Sequence, residues 1–203
     1  MRETMRAARR TGWEAVELRR HQQVTRPVPV VLLTDVSQSM REFSTAYLHM
    51  MRAFAQVQHR SRPRCETFAF STSLTRLTPT LSLRSPEQAI ERATEEVVDR
   101  FGGTHLATSL TTLLRSRQGH TLRGGVLVIA SDGWDSDPPE QLAAAMARAG
   151  RRAKRIVWLN PRAAAPGFEP LVGPMAAALP YCDAFLPGNT LRSLPAVFDA
   201  IAG

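Results

Sequence analysis

Short, continuously apolar runs recur along the chain between longer amphipathic stretches. The runs at 28–34 and 125–131 are apolar at nearly every position, which is typical of parallel strands buried on both faces. A further strand is predicted at 154–159. Residues 40–59 instead place Phe, Tyr and Met side chains at helical spacing. The pattern therefore predicts buried parallel strands that are connected by helices.

The remaining pattern completes an alternation of strands and helices. Two short, Thr-rich runs at 66–71 and 74–78 predict a hairpin, and hence one antiparallel edge strand. Further helices are predicted at 85–100, 105–116, 138–150 and 190–202, and a last strand at 181–186. We expect an α/β, doubly wound, Rossmann-like fold with a mostly parallel sheet and helices on both faces. Residues 27–203 would form this domain, and residues 1–26 a basic N-terminal arm.

Composition places the chain among intracellular globular proteins. It has 203 residues, of which 43% are hydrophobic and 22% are charged, as is ordinary for one α/β domain. The first residues lack the apolar segment of a secretory signal, and no apolar run approaches the ~18 residues of a membrane span. Cys65 and Cys182 have no second cysteine at metal-binding or redox spacing. We therefore expect a cytoplasmic protein with reduced cysteines.

The net charge of +8 comes almost entirely from arginine. The arginines cluster at the N-terminus, at 60–64 and at 148–155, which favours an acidic protein surface or a nucleic acid as partner. Aromatic residues make up only 6% of the chain and are not interleaved with the basic runs. Because base stacking needs such aromatics, nucleic-acid binding is disfavoured.

Oxygen-bearing side chains follow two of the predicted strands. Asp35 ends the first apolar run, and Ser37 and Ser39 follow it at alternate positions. Thr104 lies on a Gly-rich turn, and Asp132 follows the apolar run at 125–131. The carboxyl ends of neighbouring parallel strands meet at a topological switch point, so these side chains can converge. Hard oxygen ligands suit Mg²⁺ or Mn²⁺, so the pattern predicts a site for one of these ions. The alternative is that Asp and Ser here serve only as helix caps.

The charge on these ligands predicts how such a site would bind a partner. Serine and threonine hydroxyls are neutral, so they leave most of the metal's positive charge uncompensated. The two carboxylates can act through water or by orienting the hydroxyls. A metal held in this way would attract an anionic oxygen from outside the chain, such as a Glu or Asp of another protein.

The order Asp35, Ser37, Ser39, Thr104, Asp132 resembles the metal-ion-dependent adhesion site (MIDAS) of von Willebrand factor A (VWA) domains. Further segments, at 66–72, 74–78, 101–106, 131–135 and 157–161, resemble the CoxE-like branch of that family. The chain departs from the family pattern at Gln38, where VWA domains usually carry Gly, and has a shorter N-terminal region.

The resemblance implies a VWA fold and a non-enzymatic module that binds an acidic residue of a partner through its metal. It further implies a MoxR-type AAA+ ATPase as partner. The pair would act in maturation or metal loading of a client enzyme similar to carbon monoxide dehydrogenase or another molybdenum hydroxylase.

The alternative is a magnesium-dependent phosphatase or phosphotransferase of haloacid-dehalogenase type, with Asp35 as nucleophile. That chemistry needs a general acid two residues after the nucleophile, where this chain has Ser37. The sequence also lacks a Gly-x-Ser-x-Gly elbow and a phosphate-binding Gly-x-x-x-x-Gly-Lys loop. We therefore expect a binding module rather than an enzyme.

Several residues near Asp132 have a structural interpretation. We expect Asp135 and Asp137 to form a solvated acidic turn that caps the helix starting near Pro138, with a larger metal site as the alternative. Trp134 and Trp158 are expected to be packing residues, with a place for Trp134 at the border of the site as the alternative.

Overall fold

The computed structural model describes residues 28–57, 65–97, 103–170, 173–189 and 194–202. The predicted N-terminal arm at 1–26 lies outside the described residues. The strands are β1 (Val30–Asp35), β2 (Cys65–Phe70), β3 (Leu74–Arg76), β4 (Val126–Ala130), β5 (Arg155–Asn160) and β6 (Ala184–Pro187). The α-helices are α1 (Ser44–Val57), α2 (Thr78–Leu81), α3 (Pro86–Glu96), α4 (Leu106–Arg115), α5 (Pro139–Gly150), α6 (Gly173–Ala178) and α7 (Leu194–Ala202).

The six strands form one sheet in the order β3-β2-β1-β4-β5-β6. All neighbouring pairs are parallel except β2 and β3, which are antiparallel at one edge. The predicted mostly parallel sheet with one antiparallel edge strand is therefore confirmed. The chain leaves β1 toward β2 on one side and returns as β4 on the other, so the topological switch point lies between β1 and β4.

Helices cover both faces of the sheet, because the side chains of each strand alternate between two cores. On β1, Val30 and Leu32 belong to the core under α1 and α7, whereas Val31 and Leu33 belong to the core under α4 and α5. The described part contains no helix long and apolar enough to cross a membrane. The central strands β1 and β4 are buried along their whole length, so side chains at their carboxyl ends are the ones placed to reach a ligand.

Candidate metal centre

The carboxylate of Asp35 connects the ends of β1 and β4. It is fully buried, and its Oδ1 accepts a hydrogen bond of 2.8 Å from the Ser37 N–H. Its Oδ2 accepts a hydrogen bond of 2.7 Å from the hydroxyl of Ser131, the residue after β4. The pairing of Thr34 with Ala130 brings these two strand ends side by side. Both oxygens of Asp35 are thus used to fix the loops on either side of the switch point.

The hydroxyls of Ser37 and Ser39 lie next to each other, with their Oγ atoms 3.2 Å apart. Ser37 has an extended backbone and is buried, and a short 3₁₀ helix over Gln38–Met40 follows it. Met40 is buried and anchors this turn in the core. Gln38, at the position where VWA domains usually carry Gly, is exposed and lines the same cavity as Ser39.

Asp132 brings a second buried carboxylate to the same edge, with only 4% of its surface exposed. Its Oδ1 accepts a hydrogen bond of 3.3 Å from the Trp134 N–H. Its Oδ2 has no hydrogen-bond partner among the described residues but lies 3.3 Å from Nε of Arg162, a purely electrostatic contact. Asn160, at the end of β5, fixes this loop by donating a 3.0 Å hydrogen bond to the Asp132 carbonyl.

Thr104 is buried on the loop that precedes α4. Its carbonyl accepts a hydrogen bond of 2.8 Å from the N–H of Ser136, which lies on the loop that begins at Asp132. The next residue, His105, donates its N–H to the carbonyl of Ser71 after β2 at 2.9 Å. The Thr104 loop is therefore held between the end of β2 and the Asp132 loop.

Asp135 and Asp137 correct the sequence-based interpretation, because they cap α4 rather than the helix near Pro138. Asp135 accepts hydrogen bonds from the first two N–H groups of α4, at 3.1 and 3.3 Å. Asp137 accepts one from Thr108 N–H at 2.8 Å, and its other oxygen lies 2.8 Å from Nδ1 of His105. Asp137 is also buried rather than solvated. Capping across the fold in this way fixes the start of α4 against the Asp132 loop.

The pKa values of these two carboxyls follow their surroundings. Burial raises the pKa of Asp135, although the N–H groups that it accepts oppose the effect. Burial by itself would also raise the pKa of Asp137. Hydrogen bonds from His105 and Thr108 outweigh this effect, so the pKa of Asp137 is lowered overall. The residue before Leu106 is His105, which makes no side-chain cap, so α4 needs acceptors from elsewhere.

The two tryptophans near the site behave differently. Trp158 is fully buried and donates its indole N–H to the Ser131 carbonyl at 2.9 Å, so its predicted packing role is confirmed. For Trp134 that prediction is wrong, because 60% of its surface is exposed. Trp134 directly follows Gly133, whose φ of +87° turns the chain outward after Asp132. An exposed indole thus lies on the loop that carries the second carboxylate.

Burial, more than neighbouring negative charge, shifts the pKa values at this edge of the sheet. Burial raises the pKa of Asp35 to about 6, with a smaller upward contribution from the charge of Asp132, against hydrogen bonds from Ser37 and Ser131. Burial, followed by the charges of Asp35 and Asp132, raises the pKa of the Tyr47 hydroxyl, which donates to the Gly188 carbonyl at 2.8 Å. A cation at this edge would relieve both effects.

The predicted site residues converge to different degrees. Asp35, Ser37 and Ser39 are in direct contact, Asp132 is joined to Asp35 by the preceding Ser131, and Thr104 is tied to the Asp132 loop through its backbone. Four residues of the network were missed by sequence reasoning: Tyr47, Ser131, Asn160 and Arg162. Ser131 precedes Asp132 in the sequence, whereas the other three are linked to the site only through the fold.

The donor set fits a hard divalent cation. It comprises carboxylate and hydroxyl oxygens, and the buried Oδ2 of Asp132 still has a hydrogen-bonding position unfilled. The described residues contain no group of three or more His, Cys, Asp or Glu side chains placed to hold a metal. In that part of the chain, a metal site would therefore need oxygen ligands besides these side chains, and the hydroxyls at this edge are suitable.

Comparisons with known proteins identify the family and support the fold. A family model described as "VWA domain containing CoxE-like protein" matches residues 1–194. Among curated proteins, none is significantly similar in sequence.

Among solved structures, von Willebrand factor type A from Catenulispora acidiphila is similar, with a TM-score of 0.58 and 15% identity over 87% of this chain and 42% of that one. BatB from Bacteroides thetaiotaomicron has a TM-score of 0.54 and 13% identity over 87% of this chain and 98% of its own. Proximal thread matrix protein 1 from the mussel byssus, with a zinc-occupied MIDAS motif, has a TM-score of 0.51 and 15% identity over 87% of this chain and 47% of that one.

Proposed function

Because this chain belongs to the family of CoxE-like proteins that contain a VWA domain, we propose that it is a non-enzymatic adaptor that binds a partner protein through a divalent metal. The hydroxyls of Ser37, Ser39 and Thr104 would hold Mg²⁺ or Mn²⁺ directly. Asp35 and Asp132 would orient those hydroxyls and partly neutralise the ion. The position of these groups at the switch point of a parallel sheet supports the assignment.

The observation that carries the proposal is the buried Oδ2 of Asp132, which has no hydrogen bond from any described residue. A buried carboxylate oxygen that accepts no hydrogen bond is costly, and the half-exposed Arg162, whose Nε lies 3.3 Å away, compensates its charge only in part, so a metal ion is a natural complement. Asp35, by contrast, has both oxygens occupied by Ser37 and Ser131. It is therefore suited to hold the loop in shape while the hydroxyls face the ion. When bound, the metal would offer an open position to a carboxylate from outside the chain.

The surface around the site suits an acidic partner. The side chain of Arg162 is half-exposed beside Asp132, and it lines a cavity of about 510 Å³ together with Ser39 and Phe43. Trp134 lies exposed on the loop after Asp132. Tryptophan and arginine are the residue types that most often dominate binding energy at protein interfaces. We infer that the partner places a Glu or Asp on the metal and packs around it against these two side chains.

The identity of the partner follows from the family alone. We propose a MoxR-type AAA+ ATPase in the cytoplasm, with which this protein would act in maturation or metal loading of a client enzyme similar to carbon monoxide dehydrogenase or another molybdenum hydroxylase. The arginine-rich surface would speed the encounter with an acidic partner, and this contribution should weaken as salt is added.

A haloacid-dehalogenase-type phosphatase is a poor fit to this geometry. Its nucleophile would be Asp35, which must present a free oxygen to the substrate. Asp35 is fully buried, and each of its oxygens accepts a hydrogen bond. A metal-dependent phosphatase assay on a generic phosphate ester should therefore show no activity above that of Asp35→Ala.

The decisive experiment is a pull-down with the candidate ATPase in Mg²⁺, Mn²⁺, Zn²⁺ or EDTA. The complex should form with a suitable divalent ion, disappear in EDTA, and be lost in Asp132→Ala at every salt concentration. Asp199→Ala removes an exposed carboxylate on α7 and serves as the matched control, which should bind normally. A complex that forms equally well in EDTA and with Asp132→Ala would refute the metal bridge.

A further inference from the structure

A second groove lies between α4 and α5, which pack side by side on one face of the sheet. It has a volume of about 660 Å³ and is lined by threonines, alanines, a glutamine and three arginines, with no acidic residue. Ala107 contributes to it from α4, and Ala144 and Ala147 from α5. The groove therefore combines small apolar positions on both walls with a purely positive charge.

The three arginines gather at one end of the groove. Arg115 lies in the last turn of α4, Arg148 in the last turn of α5, and Arg151 follows it. Arg148 reaches across and donates to the Thr111 hydroxyl at 2.7 Å, while its Nε is buried without a hydrogen-bond partner among the described residues. In the same part of the chain, no carboxylate forms an ion pair with any of the three. Their positive charge is thus left uncompensated by the described structure.

The alternative is that these arginines only stabilise the two helices, because positive charge near a helix C-terminus interacts favourably with the helix dipole. However, Arg152 already serves that role, because its guanidinium donates to the Leu114 carbonyl at the end of α4. The arginines that line the groove are additional to it. A role in helix stability alone would not explain why three of them converge on one concave surface.

The positive charge of the groove favours some occupants over others. The N-terminal segment of this chain, residues 1–27, holds seven arginines and three glutamates, and a second copy of the chain would carry a net charge of +8. Both would be repelled. A nucleic acid would match the charge, but the lining offers no aromatic side chain for base stacking and presents alanines instead.

We propose that this groove, between α4 and α5, docks an acidic, amphipathic segment of a partner protein. Acidic side chains of the segment would meet Arg115, Arg148 and Arg151, and small apolar side chains would rest on the alanines of both helices. The basic end of the groove lies at the C-termini of the two helices, whereas the candidate metal centre lies at the N-terminus of α4. This docking would need no metal and is independent of the function proposed above.

The test uses a fluorescent synthetic peptide with Glu on one helical face and Ala and Leu on the other, followed by anisotropy in EDTA. Arg115→Glu/Arg151→Glu should weaken its binding at least about tenfold, because both partners would then be negative. The matched control, Arg84→Glu/Arg92→Glu, makes the same charge change at exposed positions outside the groove and should stay within about twofold. Ala144→Trp should also block binding, since it fills the groove from an exposed position without entering the core.

Two comparisons separate this proposal from the others. Asp132→Ala, which removes the candidate metal centre, should bind the peptide as the wild type does. Binding lost in Asp132→Ala, or equal loss in the two double variants, would overturn the groove. A single-stranded oligonucleotide of equal charge that displaces the peptide at lower concentration would show a nucleic-acid site instead. Circular dichroism of each variant establishes that the fold is retained.

Discussion

The substitution Asp35→Asn should stabilise the metal-free protein while it removes metal-dependent behaviour. Asp35 is fully buried at the switch point, where its ionised form lacks water. Asparagine keeps the size and retains an oxygen to accept the Ser37 N–H, and its amide can donate to the Ser131 hydroxyl. The substitution therefore removes a buried charge at a position where the hydrogen-bond network can adjust.

The magnitude follows from the pKa of Asp35, which burial raises from 3.8 to about 6. A folded-state pKa above the unfolded value means that the native state binds more protons within that window. The free energy of unfolding therefore falls as the pH rises from about 4 to about 6, and the cost stays in full above it. One pKa unit corresponds to about 1.4 kcal/mol, so the ionised carboxylate costs the metal-free fold about 3 kcal/mol at neutral pH.

Urea unfolding followed by circular dichroism, in EDTA, measures this cost. At neutral pH, Asp35→Asn should be more stable than the wild type by about 1–3 kcal/mol, and the gain should vanish near pH 4. In excess Mg²⁺ the wild type should gain stability by ligand linkage, about 1.4 kcal/mol at ten times the dissociation constant, whereas the variant should gain none. The difference in stability between the two proteins would thus shrink or reverse as Mg²⁺ is added.

Asp199→Asn provides the control for a simple change in net charge, since Asp199 is exposed on α7. It should leave stability unchanged in both buffers. A stability of Asp35→Asn clearly below that of the wild type, in EDTA at neutral pH, would contradict the predicted cost of the buried charge. Equal stabilisation of Asp35→Asn and the wild type by Mg²⁺ would show that the carboxylate is irrelevant to the metal.

Other substitutions test the surroundings of the site. Arg162→Gln removes a half-exposed guanidinium 3.3 Å from a site carboxylate, so calorimetry should show Mg²⁺ binding about three- to tenfold tighter, and unchanged affinity would contradict this. Gly133→Ala and Gly167→Ala both place alanine at positive φ, but only the first methyl meets Met175. In urea unfolding, Gly167→Ala should lower the free energy of unfolding by ~1–2 kcal/mol, and Gly133→Ala by about 1 kcal/mol more. Equal losses in the two variants would contradict the predicted clash with Met175. Asp137→Ala removes an acceptor at the start of α4 and should cost about 1–2 kcal/mol, and no loss of stability would show that this cap is dispensable.

The strands that carry the site could be predicted because their sequences are unambiguous. A strand buried on both faces must be apolar at successive positions, so β1 and β4 were evident. β4 ends directly before the polar Ser131, whereas β1 includes the polar Thr34 and Asp35 at its end. Ser85 and Pro86 likewise marked the start of α3, and the Ser85 hydroxyl does accept the Gln88 N–H. At these segments, the local sequence preference agrees with the structure that the whole fold requires.

What the sequence could not reveal depends on contacts between distant segments. Asp135 and Asp137 cap α4 from about thirty residues downstream, a pairing that no local pattern encodes. The predicted strand at 74–78 ends earlier, at Arg76, because Thr78 begins the short helix α2 with Pro79 in its first turn. Helix α6, at Gly173–Ala178, is a single short element that was not predicted.

The network around the candidate site shows why its geometry depends on β5, a strand that supplies none of the proposed ligands. Trp158 and Asn160 on β5 bond the carbonyls of Ser131 and Asp132, so the loop after β4 is held by its neighbour in the sheet. Ser131 in turn donates to Asp35. Each link is buried, and each would leave an unpaired polar group if it were broken, which is costly in a low-dielectric interior. The loops at the switch point therefore derive their shape from the sheet itself, and their hydroxyls can be held in place before any ion binds.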